Sequence, residues 1–206
     1  MKIARILYPV TVLGPGKRIG IWTLGCDRRC KGCANPELWQ ASQDQEIDIQ
    51  NLLYSIDTLR ADSSRRVDGI TISGGEPFSQ REELLLLINE VSKWCDDILI
   101  FTGFLKEELM EDEIARQILS KIQVLVDGAY IEDKNEGEIL RGSSNQRIFY
   151  QSETIMKKYD DYEELHRGKH LVENFRVNGG VIAVGIHKKD FKDELEKALK
   201  KRKIVK

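Results

Sequence analysis

The sequence predicts an α/β fold that closes with a β-hairpin and a helix, on three observations. Short apolar runs rich in β-branched residues alternate with amphipathic helical patterns, the signature of parallel strands joined by helical crossovers. Glycines stand where runs end, at Gly74-Gly75 and Gly103. Beyond Phe149 the pattern changes to a highly charged segment followed by an alternating apolar hairpin.

In chain order, Ile19 to Trp22 is a strand that leads into a cysteine-rich loop, and Ile47 to Arg60 reads as a helix. Gly69 to Ser73 is a continuous apolar run short enough for a buried strand. Glu82 to Trp94 carries leucines on one helical face. Ile98 to Thr102 and Gln123 to Val126 are further strands, separated by one charged helix over Glu107 to Lys121. Glu153 to His166 is helical, and Phe175 to Val184 is a hairpin whose Asn178-Gly179 pair supplies positive φ. A basic helix starts at Asp190, and its Lys197 to Lys203 run reads as a solvated helix end, with a docking role left open. The expected organisation is a core over residues 1–150 and an extension, 151–206, packed on it.

The chain has 206 residues, 41% hydrophobic and 32% charged, enough for one core without a second. A formal charge of −2 speaks against a nucleic-acid binder. No apolar run approaches the roughly 20 residues needed to span a bilayer. Met1-Lys2-Ile3 begins without a secretory pattern, so a cytoplasmic protein with reduced thiols is expected.

Cys26, Cys30 and Cys33 lie within eight residues, in Gly25-Cys-Asp-Arg-Arg-Cys-Lys-Gly-Cys-Ala-Asn-Pro36. Thiolates this close can converge on one soft metal centre. On a [4Fe-4S] cube, three protein ligands leave one iron open to another molecule, which suggests catalysis. Structural zinc would need a fourth ligand, Cys95 or a histidine, from far along the chain. A second motif, Gly74-Gly75-Glu76-Pro77, follows a strand directly; its glycines leave backbone N–H and C=O groups open to close approach, and its proline fixes the turn.

Together these motifs resemble the radical S-adenosylmethionine superfamily, with its Cys-x3-Cys-x2-Cys cluster motif and its methionine-binding turn. Gly14 to Arg18, Cys33 to Trp39, Ser73 to Gln80, Leu125 to Gly128 and Arg141 to Arg147 narrow the likeness. They resemble the family of activating proteins of anaerobic ribonucleoside-triphosphate reductase, over residues 1 to about 150. The resemblance implies an incomplete β/α barrel of the radical S-adenosylmethionine type, with functional loops at the C-terminal strand ends. It implies a [4Fe-4S] cluster on Cys26, Cys30 and Cys33, and S-adenosyl-L-methionine near Gly32, Ala34, Gly74, Gly75, Glu76, Thr102 and Asp127. It also implies a reaction. An electron from a reduced flavodoxin or ferredoxin-type donor cleaves the sulfonium to methionine and a 5'-deoxyadenosyl radical, which takes a hydrogen from a glycine of a partner glycyl-radical enzyme. Anaerobic ribonucleotide reductase is the expected partner.

Two departures stand out: Ala34, where the family more often carries histidine or an aromatic residue, and an extension of more than fifty residues. Both leave open a peptide or small-molecule substrate, and a non-catalytic metal scaffold is a third reading. Among single residues, Cys95 ends a helical pattern and reads as a small buried hydrophobe. His166, His170 and His187 lack metal-ligand spacing and read as surface or packing residues. Asp127 and Thr102-Gly103 end strands at the functional rim, where Asp127 could meet the cofactor or a monovalent cation and Thr102 a ribose or carboxylate. Asn145, Gln146 and Arg147 suit either cofactor or partner binding or a structural turn. The extension is read as a docking element for the partner.

Overall fold

Strands β1 (Ile3–Val10), β2 (Arg18–Thr23), β3 (Gly69–Gly74), β4 (Ile98–Phe101), β5 (Val124–Asp127) and β6 (Arg147–Tyr150) join in that order into one six-stranded sheet. The computed structural model describes residues 1–41, 46–62, 66–169, 171–177, 180–189, 191 and 197. β2 to β5 run parallel, and β1 and β6 pair antiparallel at the two edges. Among the described residues β1 and β6 do not pair with each other. The observed architecture is therefore an open, parallel-rich α/β sheet.

Burial on both faces explains the near-continuous apolar runs of the central strands. Ile19, Ile21, Ile70, Ile72, Ile98, Ile100 and Leu125 form one core with Leu52 and Ile56 of helix α1 (Ile49–Ala61), with Leu84, Leu87, Ile88 and Val91 of α2 (Arg81–Val91), and with Ile118. Asp48 caps α1, its side chain accepting from the Gln50 amide.

The single charged helix expected over Glu107 to Lys121 is two helices, α3 (Lys106–Met110) and α4 (Glu113–Leu119). The break falls at Asp112, whose extended backbone ends the first helix and whose carboxylate accepts from Ala115 N at 2.8 Å to start the second. Strands β1 and β6 were not expected from the sequence. β1 is half-buried along its length, so it lacks a clear period-2 contrast, and β6 is a four-residue edge strand.

The other sheet face receives the C-terminal extension. Helix α5 (Glu153–His166), capped by Ser152, buries Tyr159 and Tyr162 against Leu99, Val124, Val126 and Leu140. Beneath it lies a closed polar network. Arg18 donates to Thr71 Oγ1, to the Ile70 and Asp97 carbonyls and to Asp97 Oδ1, while Tyr159 Oη donates to Asp97 Oδ1 at 2.7 Å and Lys158 Nζ reaches Oδ2 at 2.5 Å. Burial pushes the Asp97 carboxyl up, but the Arg18 guanidinium and these donors outweigh it and hold the group below its ordinary value.

The hairpin forms as expected, from β7 (Val172–Val177) and β8 (Gly180–Gly185). Its expected Asn178-Gly179 turn, His170 and the basic closing helix from Asp190, with its Lys197 to Lys203 run, lie outside the described residues except for Phe191 and Lys197.

Candidate functional site

The chemistry-bearing motifs meet at the C-terminal ends of the parallel strands. The cysteine loop leaves β2, the glycine turn leaves β3, Thr102-Gly103 leaves β4 and Gly128 follows β5. Their residues line a cavity of about 230 Å³ that includes Cys26, Cys30, Cys33, Gly74, Gly75 and Glu76. Gly32, Ala34 and Thr102 line it too.

The cysteine loop is closed at its base by the returning chain: Gly25 N donates to Leu38 O at 2.9 Å and Cys26 N to Trp39 O at 3.0 Å. Inside it, Cys33 N donates to Cys30 O at 3.1 Å. Gly32 has φ +73°, so the backbone calls for glycine; a Cβ there would sit 2.5 Å from the Glu132 carboxylate, a side-chain end that can turn aside. None of the four cysteines is in a disulfide, and the three loop thiols are half-buried. Burial pushes the Cys30 thiol up, and the neighbouring Cys33 and Cys26 sulfurs act in the same direction, so metal binding there must release a proton. Among the described residues no three His, Cys, Asp or Glu side chains converge on one metal-ion position. The thiols face a shared space, a donor set suited to a multi-iron group.

The glycine turn is packed against the cysteine loop itself. Gly75 N donates to Thr23 O and Glu76 N to Gly25 O, each at 2.8 Å. A Cβ at position 75 would lie 2.3 Å from Gly25 O, and one at position 74, where φ is +110°, 2.5 Å from Thr23 N. The close approach that these glycines allow is therefore made by the chain's own backbone. With both N–H groups committed inward, the turn has carbonyl oxygen left to offer a ligand.

Glu76 holds the turn to the end of β4. Its Oε1 accepts from Thr102 Oγ1 at 2.7 Å and from Phe78 N at 3.1 Å, and its Oε2 accepts from Gly103 N at 2.7 Å. Burial pushes its carboxyl up against these hydrogen bonds. Arg28, from within the cysteine loop, stands 3.9 Å from Glu76 Oε2 and stacks over Phe104 at 4.3 Å. Glu76 and Thr102 are thus engaged with each other at the cavity wall.

Asp127 reaches the same end of the sheet but is not among the cavity-lining residues. Its carboxylate is fully buried and accepts from Arg147 through both oxygens and from Lys106 N at 2.7 Å. Arg147 is therefore its partner, and the Asp127 hydrogen bond is the main reason that the guanidinium pKa is raised. Gln146 lines the cavity while tying the loop together: Nε2 donates to Gly128 O and Oε1 accepts from Gly142 N, each at 2.8 Å. Asn145 donates to Ala129 O at 2.9 Å.

Cys95 lies in the core just beyond α2, with Asp97 O at 3.6 Å from its sulfur. His166 packs on Tyr162, its Nδ1 2.8 Å from Tyr162 O. His187 stacks on Phe191 with ring centroids 4.0 Å apart, and both line the cavity. That placement was not legible in the sequence, nor was that of Tyr130, Glu132, Trp39 or the β8 residues Ile182 to Gly185. Arg28 alone carried a local signal, as a cation between two of the cysteines.

Residues 12–149 match the model of the 4Fe-4S single cluster domain. The chain is 32% identical over 148 residues to the anaerobic ribonucleoside-triphosphate reductase-activating protein of Pasteurella multocida, covering 69% of this chain and 93% of the relative. The protein of the same name from Escherichia coli K12 is 33% identical over 149 residues, covering 69% and 95%. The one from Haemophilus influenzae is 35% identical over 147 residues, covering 68% and 93%. The chain belongs to the family of anaerobic ribonucleoside-triphosphate reductase-activating proteins. It therefore carries a 4Fe-4S cluster domain, and the cysteines at 26, 30 and 33 lie within the matched region. Close to a third of this chain has no aligned counterpart in these family members. Among the described residues no helix is long and apolar enough to cross a membrane.

Proposed function

We propose that this chain is a radical S-adenosylmethionine enzyme that installs a glycyl radical on an anaerobic ribonucleoside-triphosphate reductase. The observation that carries this reading is the convergence of the three cysteines and the Gly74-Gly75-Glu76 turn on one cavity, in a chain that spans more than nine-tenths of the family members' length. The open sheet would be the strand wall of an incomplete β/α barrel, with residues 1–150 as the radical core.

The residues fit the group. Cys26, Cys30 and Cys33 would hold the [4Fe-4S] cluster, leaving one iron for the amino and carboxylate groups of S-adenosylmethionine. When bound, the cluster supplies the electron that cleaves the sulfonium to methionine and a 5'-deoxyadenosyl radical. The carbonyl oxygens of the glycine turn would accept hydrogen bonds from the N–H groups of the methionyl amino group. Gly32, Ala34 and Thr102 would line the cofactor, and Asp127 would act one step removed, by fixing Arg147 and the start of α3. The buried indole N–H of Trp39, on the cavity wall, has no hydrogen-bond partner among the described residues and is a donor suited to a bound cofactor. Glu76, Thr102 and Arg28 hold the loops in register.

The expected surroundings are a cytoplasmic enzyme, a reduced flavodoxin or ferredoxin-type donor, and the reductase as partner. A second reading, in which the acceptor is a peptide or small molecule, draws on the Ile182 to Lys189 segment that lines the cavity. The test is chemical. The anaerobically reconstituted chain, reduced in the presence of S-adenosylmethionine, is expected to release methionine and 5'-deoxyadenosine in equal amounts. Intact S-adenosylmethionine over a fully loaded cluster would overturn the proposal.

A further inference from the structure

The extension does more than add outer surface. Val184 of β8 is 3% exposed and packs with Val10, Leu13, Trp22, Leu24 and Leu38, the last two flanking the base of the cysteine loop. Ile182, Val184 and His187 line the same cavity as the three loop thiols.

Polar contacts hold this segment at both ends. On one side, Glu173 of β7 accepts from Thr11 N at 2.9 Å and from the Thr11 hydroxyl. On the other, Asn135 Nδ2 donates to His187 O at 2.8 Å, and Lys189 pairs with Asp133 at 3.0 Å. The turn carrying Asp133 and Asn135 also carries Glu132, which pairs with Lys31 of the cysteine loop at 3.0 Å. One short turn thus joins the cysteine loop to the extension.

We propose that the β7–β8 hairpin is a wall of the cluster cavity, held in place by Glu173 and Asn135 as positioning residues, and that it shields the loop thiols and the cofactor from solvent. This rests on assigning the cavity to the cluster and S-adenosylmethionine. An apolar wall is suited to that task, since excluding water protects reactive intermediates from side reactions. The role is additional to the partner-docking role that the sequence suggested for the extension.

The test is the rate of thiol alkylation in the full-length, metal-free chain, followed by mass spectrometry at each cysteine, with buried Cys95 as the internal reference. Glu173→Ala and Asn135→Ala are each expected to speed alkylation of Cys26, Cys30 and Cys33 about three- to tenfold, the population shift that loss of an ordinary hydrogen bond produces. Cys95 should be unaffected, and Glu173→Gln, which keeps an acceptor for Thr11, should stay near the wild-type rate. After reconstitution, the two alanine variants should lose iron to a chelator faster by a similar factor. Wild-type alkylation rates in both alanine variants would overturn the proposal. So would equal acceleration at all four cysteines, which would mean that these contacts hold the whole fold and not the cavity. A chain that takes up no iron would overturn the cluster reading, while the thiol rates would still judge the wall by themselves.

Discussion

Replacing Gly75 with alanine is expected to damage the cysteine loop and not only the glycine turn. The new Cβ would lie 2.3 Å from Gly25 O and 2.9 Å from Gly25 C, inside any real contact distance and against backbone that cannot rotate away. The turn must move outward, which strains or breaks the Gly75 N to Thr23 O and Glu76 N to Gly25 O hydrogen bonds, both 2.8 Å. Overpacking of a tight site costs about 1–3 kcal/mol and each of the two hydrogen bonds about 1 kcal/mol, so a loss of roughly 3–5 kcal/mol is expected. Because Cys26 is the next residue after Gly25, the cluster should load poorly as well. The assay pairs urea unfolding of the metal-free chain with iron and acid-labile sulfide analysis after anaerobic reconstitution. A Gly75→Ala chain with full cluster content and stability within about 0.5 kcal/mol of wild type would show that the turn does not brace the cysteine loop.

Further outcomes follow from the same geometry. Alanine at Cys26, Cys30 or Cys33 should abolish stable cluster binding, while Cys95→Ala, buried in the core beside Asp97, should keep full iron and sulfide content at some cost in stability. Tyr159→Phe removes a 2.7 Å hydrogen bond to the buried Asp97 carboxylate and should cost about 1.5–3 kcal/mol in denaturant unfolding. Asp97 titrates below its ordinary value in the fold, so its contribution is complete above about pH 3.9 and is lost as pH falls through the depressed value. Acid unfolding followed by circular dichroism should accordingly begin at higher pH in Tyr159→Phe than in wild type. Ending the chain after residue 150 removes both Lys158 and Tyr159 from Asp97 and uncovers Leu99, Val124 and Val126, so the shortened chain should fail to fold cooperatively in calorimetry.

The central strands were legible because each is a short apolar run ending at a motif, and the cysteine loop because three thiols at that spacing have few uses. The edge strands were not, since β1 shows no alternation and β6 is too short to stand without a partner. The extension was legible as a helix and a hairpin, but not its place. Nothing local in Ile182 to His187 says that it faces Cys26, Cys30 and Cys33 from about 150 residues away; that contact exists only through tertiary packing. The glycine turn carried a signal of close approach, but not its partners: Gly74 packs on Thr23 at the end of β2 and Gly75 on Gly25 at the base of the cysteine loop. Asp127 was placed at the right strand end, but its partner, Arg147, arrives on an edge strand that the sequence did not reveal.

Glycyl-radical installation is tested most directly by electron paramagnetic resonance on a mixture of the reconstituted chain, S-adenosylmethionine, a reductant and an anaerobic ribonucleoside-triphosphate reductase. A glycyl-radical signal is expected on the reductase, absent without S-adenosylmethionine and absent when Cys30→Ala replaces the wild-type chain. A cluster-loaded chain that cleaves S-adenosylmethionine yet leaves the reductase without a radical would rule out the proposed activity.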